Sequence, residues 1–524
     1  MSTTVPADGL LRRASRAMFW NALMLPAITV INLAGAVLLR RGFGLESGTY
    51  DTALGVLNTL LTYSGLGLPF TVAQFVPGLA RNSGRASAVR FLGRVVPVRF
   101  VLLAAALAAV NVFAGTLADS LNLGSGGVRL IRMVSALAAL RAGSDLAIDV
   151  LQALLAHGLA NLVQLVQAVA LAGAVIWTVW AHATIATLFG LLAAAAACNT
   201  VLSTWLASRQ IRAVPPDGEN GAAIAGDISW RRIVGFAAFM FLVDASNYFA
   251  TPAFASPALA AVSHGQTTTA LFNVAFQIPM MAVVVILSGF QGLYRPLFAG
   301  IIADGDPGRL RTAFSEIGKV QTMLLVPAGI GLFLLLPDYV LLLFGRQFAA
   351  SVPLARILTL FLVAEALLTP GFIILSVDRR YWASLGAQAA RALVAPVFVW
   401  LAVRGQLDLA AAVFGGGRLL AVGLGFLMAR RRYGVRYAGP FTMRVALAAA
   451  PMALVVFTSG LVVPSTVAST LARTALGAAT LVFGLRWFAV LGPRELDILR
   501  RTRMPGAAML ACWLTKSGDA ASRA

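Results

Sequence analysis

Apolar runs of about 20 residues recur along the whole chain, separated by short polar segments rich in Arg, Gly and Pro. That is the length a helix rising 1.5 Å per residue needs to cross about 30 Å of hydrocarbon. Stretches such as Val101–Gly115 and Leu191–Ala197 are apolar on every face, which excludes the period-2 alternation of a membrane barrel. Hydropathy predicts about fourteen helical spans. They lie near residues 19–39, 52–76, 95–117, 130–155, 158–181, 185–207, 233–254, 268–292, 319–343, 354–376, 383–402, 409–429, 443–463 and 468–490. The first follows Arg12, Arg13 and Arg16 and is longer than the core of a signal peptide, so it is read as a retained helix.

Composition points the same way. Of 524 residues, 59% are hydrophobic and 12% charged, with a mean hydropathy of +0.84; ordinary soluble domains carry about 25% charge. The net charge of +21 does not imply nucleic acid, because the basic residues sit in short clusters between apolar runs rather than on one soluble face. The clusters Arg81/Arg85/Arg90/Arg94, Arg209/Arg212/Arg231/Arg232, Arg309/Arg311/Lys319, Arg379/Arg380, Arg430/Arg431/Arg432/Arg436 and Arg494 to Arg503 fall on alternate connections. The positive-inside rule then puts both termini in the cytoplasm. Cys198 and Cys512, and His157, His182 and His264, have no metal-binding spacing, and no cofactor is expected.

The longest polar connection within the body, residues 209–232, holds Pro215, Pro216, Gly218 and Gly221 and reads as a cytoplasmic linker. The expected architecture is an all-α polytopic membrane protein. A six-helix bundle (1–208), the linker (209–232), a second six-helix bundle (233–429), two additional helices (430–490) and a cytoplasmic tail (491–524) follow one another. A faint repeat supports the division: Phe75-Val76-Pro77-Gly78-Leu79-Ala80 before Arg85, Arg90 and Phe91 parallels Tyr294-Arg295-Pro296-Leu297-Phe298-Ala299 before Arg309, Arg311 and Phe314. Two bundles in the same orientation would be related by a pseudo-two-fold axis along the membrane normal, a layout suited to alternating access.

Four segments carry a family resemblance. They are Leu39-Arg40-Arg41-Gly42-Phe43-Gly44 through Tyr50, Leu66-Gly67-Leu68-Pro69 through Pro77, Arg295-Pro296 through Arg311, and Pro337-Asp338-Tyr339 through Leu358. In order and spacing they resemble the first outer loop, the second span, the eighth-to-ninth loop and the ninth-to-tenth stretch of Wzx-type polysaccharide (O-antigen) flippases. These belong to the multidrug/oligosaccharidyl-lipid/polysaccharide (MOP) exporter superfamily. The resemblance implies two six-helix lobes, a bacterial inner-membrane location, and an undecaprenyl-pyrophosphate-linked oligosaccharide as substrate. It also implies membrane lipids as surroundings, with polysaccharide polymerase and export machinery as partners.

Charges inside the spans are the candidate site. Asp244, Glu365, Arg391 and Arg418 lie about 10 residues from their span ends, hence near the midplane. A charge left at a helix centre costs about 2.5–3.5 kcal/mol, so all four should face protein or a wet cavity. Either they form a structural salt-bridge cluster, or Arg391 and Arg418 offer bidentate hydrogen bonds to a pyrophosphate while the carboxylates balance charge. Arg141, Asp145 and Asp149 follow i, i+4, i+8 and share one helical face, either self-neutralised or serving as a proton or cation relay. Asn247, Asn273 and Gln277 could bond sugar hydroxyls or act as interhelical glue. Arg40 and Arg41 could snorkel to headgroups or receive the pyrophosphate at release.

The leading expectation is therefore a flippase that moves the lipid-linked oligosaccharide from the cytoplasmic to the outer leaflet without covalent chemistry. Lipid II transport is an alternative, as is multidrug antiport, although the first span, Phe19–Leu39, has no carboxylate for cationic drugs. A membrane glycosyltransferase or polymerase would need a sizeable catalytic loop, and none is visible.

Overall fold

The computed structural model describes residues 7–216, 229–262, 266–378, 381–464, 466–488 and 490. Most of the predicted linker, the tail 491–524, His264, Arg379, Arg380 and Cys512 lie outside the described residues. Seventeen α-helices in chain order account for nearly all of it: α1 (Ala7–Phe43), α2 (Ser47–Gly65), α3 (Leu68–Asn82), α4 (Arg85–Val112), α5 (Ala114–Ser120), α6 (Gly127–Ala153), α7 (His157–Trp180), α8 (Ile185–Arg212), α9 (Trp230–Tyr248), α10 (Pro252–Val262), α11 (Thr267–Ala303), α12 (Pro307–Leu343), α13 (Ser351–Val377), α14 (Tyr381–Val403), α15 (Leu407–Tyr433), α16 (Gly439–Val462) and α17 (Val467–Trp487). Eleven described helices are long and apolar enough to cross a membrane, twelve with the bent pair α9–α10, so the expected count of about fourteen is approximate. Two features account for the difference. The run Met24–Gly65 joins most of α1 to α2 across a reversal at Gly44 (φ +58°), and α6 carries Arg129, Arg132, Arg141, Asp145 and Asp149, too many charges for its length.

Helices α1 to α8 pack chiefly on one another, with α1 against α7 and α6 against α8, while α11 to α15 form a second set in which α13 packs against α15. Their tightness follows from glycine: a Cβ on Gly415 would meet Phe361 at 2.7 Å and one on Gly371 would meet Phe426 at 2.7 Å. Small residues let helix backbones approach where lipid supplies no hydrophobic drive. Around them Phe272, Phe276, Phe398 and Phe414 interlock edge to face. The outer surface is apolar instead, with Val101, Val112, Trp180, Leu393, Leu461 and Val462 all exposed, the inverse of a water-soluble protein. Helices α16 and α17 pack together and onto α12, pinned by Arg473 to Asp338 at 2.7 Å with both side chains buried.

Two spans are interrupted. Leu66 (φ 41°) and Gly67 (φ +71°) turn left-handed between α2 and α3, and Pro69 then opens α3, where its missing N–H is tolerated. Between α9 and α10 the chain bends by 53°. Pro252 is the cause: it has no N–H for the carbonyl of Tyr248, which accepts from Thr251 N instead at 3.0 Å.

Candidate functional site

The end of the bundle that holds Gly44 and Gly345 is bridged between the two helix sets. Arg41 donates from Nε to Leu343 O at 2.9 Å and from Nη2 to Leu342 O, satisfying carbonyls that α12 leaves open at its C-terminus. Gln266 donates to Leu121 O at 2.7 Å and bonds the Thr52 hydroxyl through Oε1 at 2.6 Å, and Asn122 donates to Ala260 O at 2.7 Å. Arg40 points inward to Asp51 at 2.7 Å, both buried.

Below this layer lies a cavity of about 730 Å³ within α1–α8, to which α9 adds Asp244. Its wall includes Asn32 of α1, Asn58 and Thr62 of α2, Arg99 of α4, Arg141, Asp145 and Asp149 of α6, Gln164 and Gln167 of α7, and Asn199 of α8. The i, i+4, i+8 stripe of α6 faces it, so one helix supplies three of its charges.

The ion pairs here are loose. Arg99 Nη1 stands 3.7 Å from Asp149, and Arg141 Nε 3.9 Å from Asp145, beyond hydrogen-bonding reach. Among the described residues neither of these two nitrogens has a hydrogen-bond partner, and neither polar atom of Asn199 does. Arg99 and Asn199 are each 4% exposed. Buried polar groups are almost always satisfied, by protein or by water. This wall thus presents guanidinium donors and an amide that no other described protein group satisfies, against three aspartates that restrain its positive charge. Sequence reasoning missed Arg99 and Asn199. Arg99 follows the cluster Arg85/Arg90/Arg94 and reads as its end, although it sits midway along α4; Asn199 is hidden beside the apolar run Leu191–Ala197.

The other site candidates lie elsewhere. Arg391 of α14 and Arg418 of α15 converge on Glu365 of α13, at 3.3 and 2.7 Å, and Arg391 also donates to Asn247 Oδ1. Arg418 stacks over Phe276, 5.4 Å from its centroid. Neither arginine lines the large cavity; they border a separate void of about 10 Å³. Asp244, grouped with them by depth, parts from them to reach the cavity. Asn273 donates to Ser256 Oγ and Thr269 O at 2.8 and 2.9 Å, and Gln277 is half-buried one turn on.

No family model matches the chain, and no curated protein matches it. Solved structures share its fold. It superposes on a lipid II flippase, MurJ in an inward closed conformation, with a TM-score of 0.69 at 12% identity, covering 91% of this chain and 98% of that one. A multidrug resistance MATE transporter of the MOP superfamily, inward-facing, gives 0.58 at 17% identity over 78% and 94% of the two chains. A MOP superfamily transporter from Pyrococcus furiosus Vc1 (DSM3638) gives 0.52 at 16% identity over 83% and 99%. The chain has the fold of these membrane transporters.

Proposed function

We propose that this chain is a flippase for a lipid-linked oligosaccharide, carrying an undecaprenyl-pyrophosphate substrate from the cytoplasmic to the outer leaflet of a bacterial inner membrane, with both termini cytoplasmic. The observation that carries the reading is the cavity wall, in which Arg99 Nη1, Arg141 Nε and the amide of Asn199 have no protein hydrogen-bond partner among the described residues and border the open space. Guanidinium forks suit the oxygens of a pyrophosphate, and the amides of Asn32, Asn58, Gln164, Gln167 and Asn199 suit sugar hydroxyls. A strongly hydrophilic headgroup must have its water replaced to cross hydrocarbon, whereas a prenyl tail can remain in lipid. Asp145, Asp149 and Asp244 keep the unloaded cavity from excess positive charge.

The test is complementation in Gram-negative cells lacking their oligosaccharide flippase, read as surface polysaccharide. Restoration by the wild type and its loss in Arg99→Gln/Arg141→Gln supports the reading. Rescue of cells depleted of their lipid II flippase instead assigns the site to the peptidoglycan precursor. Polysaccharide restored equally by wild type and double variant removes these arginines from the route.

A further inference from the structure

The break between α9 and α10 is held by charges that the cavity does not use. Within lipid an interrupted helix leaves carbonyls that must find partners inside the protein. In an unbroken helix Ala250 O would accept from Phe254 N, but that N–H bonds Thr251 O at 3.1 Å. Arg418 takes its place, donating from Nη1 to Ala250 O, while Arg391 binds Asn247 in the last turn of α9. Glu365 joins the two arginines, accepting from Arg418 Nε at 2.7 Å and from Arg391 Nη2 at 3.3 Å. Three helices, α13, α14 and α15, therefore grip the break through one carboxylate.

On its other side the break is seated on α2. The Tyr248 hydroxyl lies 2.5 Å from Thr59 Oγ1 and donates to Ala253 O at 3.2 Å, and Pro257 of α10 covers Gly55, where a Cβ would meet the proline ring at 2.5 Å. One turn before Asn247, α9 carries Asp244 into the cavity wall.

We propose that Arg391, Arg418 and Glu365 form a clamp that sets the angle of this broken span and so places Asp244 in the cavity wall. They are positioning residues, not contacts for the transported molecule. Straightening the span would give up both the Arg418 bond to Ala250 O and the Phe254 N bond to Thr251 O for one helical bond, and would press the Pro252 ring on Tyr248 O, so the clamp and the proline hold the bent state together. Arginine is required because one planar fork must serve the carboxylate and the carbonyl together.

The bend can be measured without knowing the substrate. Spin labels on the exposed positions Val234 and Ala261, in full-length protein with Cys198→Ser and Cys512→Ser reconstituted in nanodiscs, sit on arms of about 24 and 16 Å from Ala250. With the 53° bend the ends are about 36 Å apart, and about 40 Å when straight. Glu365→Gln and the charge-conserving Arg418→Lys are expected to lengthen the mean distance, or to add a second population, by about 4 Å. Both are also expected to change thiol labelling of Asp244→Cys several-fold. Arg473→Met breaks an equally buried ion pair remote from the break and is expected to leave both readouts unchanged. Wild-type distances in Glu365→Gln and Arg418→Lys overturn the clamp, as does an equal shift in Arg473→Met. Either result leaves the cavity's substrate reading untouched, since that stands on complementation.

Discussion

Replacing Arg99 with Gln is the most direct perturbation of the cavity. Arg99 is 4% exposed, and its nearest acid, Asp149, stands at 3.7 Å, so the guanidinium is close to a counter-charge while its Nη1 has no protein hydrogen bond among the described residues. A hydrogen bond to a charged group is worth about 1.5–3 kcal/mol, and each 1.4 kcal/mol is about tenfold in affinity. Arg99→Gln should therefore weaken binding of undecaprenyl pyrophosphate by about 10- to 140-fold, measured by native mass spectrometry titration in nanodiscs. The change also strands Asp149. Because that carboxylate is 26% exposed, its loss of partner should cost less than the 3–5 kcal/mol of a fully buried pair. Adding Asp149→Asn separates the two effects: thermal stability should return toward wild type while affinity stays low. Wild-type affinity in Arg99→Gln/Asp149→Asn would refute the reasoning, because the anion would then be held by other groups.

Three further outcomes follow from the packing. Arg473→Met should destabilise the protein by about 1.5–3 kcal/mol by removing the buried charged hydrogen bond to Asp338, and Asp338→Asn added to it should recover part of that in a thermal melt. Gln266→Ala removes the bonds to Thr52, Leu121 and Asn122 across the bridged end; an Asn58→Cys reporter should then label faster with an impermeant thiol reagent added from that side. Gly415→Ala, whose Cβ would meet Phe361 at 2.7 Å, should cost about 1–3 kcal/mol by overpacking α13 against α15, visible as a lower melting temperature.

Hydropathy alone carried the helices, because lipid forces each span to be long, apolar and internally bonded. That Glu365, Arg391 and Arg418 could meet was legible too, but azimuth was not. Asp244 and Asn247 differ by about 60° around α9, and since that helix lies between the two helix sets the small rotation sends one to the cavity and the other to Arg391. Asp51, the partner of Arg40, escaped notice because a linear reading places it at a span end where an acid needs no explanation. The break at Pro252 was equally hard to place: proline announces an interruption, whereas its repair by Arg418, 166 positions along the chain, depends on tertiary contact.

The cavity also shapes the electric field across the membrane. Its polar wall and about 730 Å³ admit on the order of two dozen waters, a polarisable pool inside the hydrocarbon layer. A transmembrane voltage falls mainly across those parts of a protein that hold no such pool. Each elementary charge that crosses such a drier part gains or loses about 2.3 kcal/mol for each 100 mV. Water in the cavity thereby shortens the distance over which voltage can do work on a moving charge.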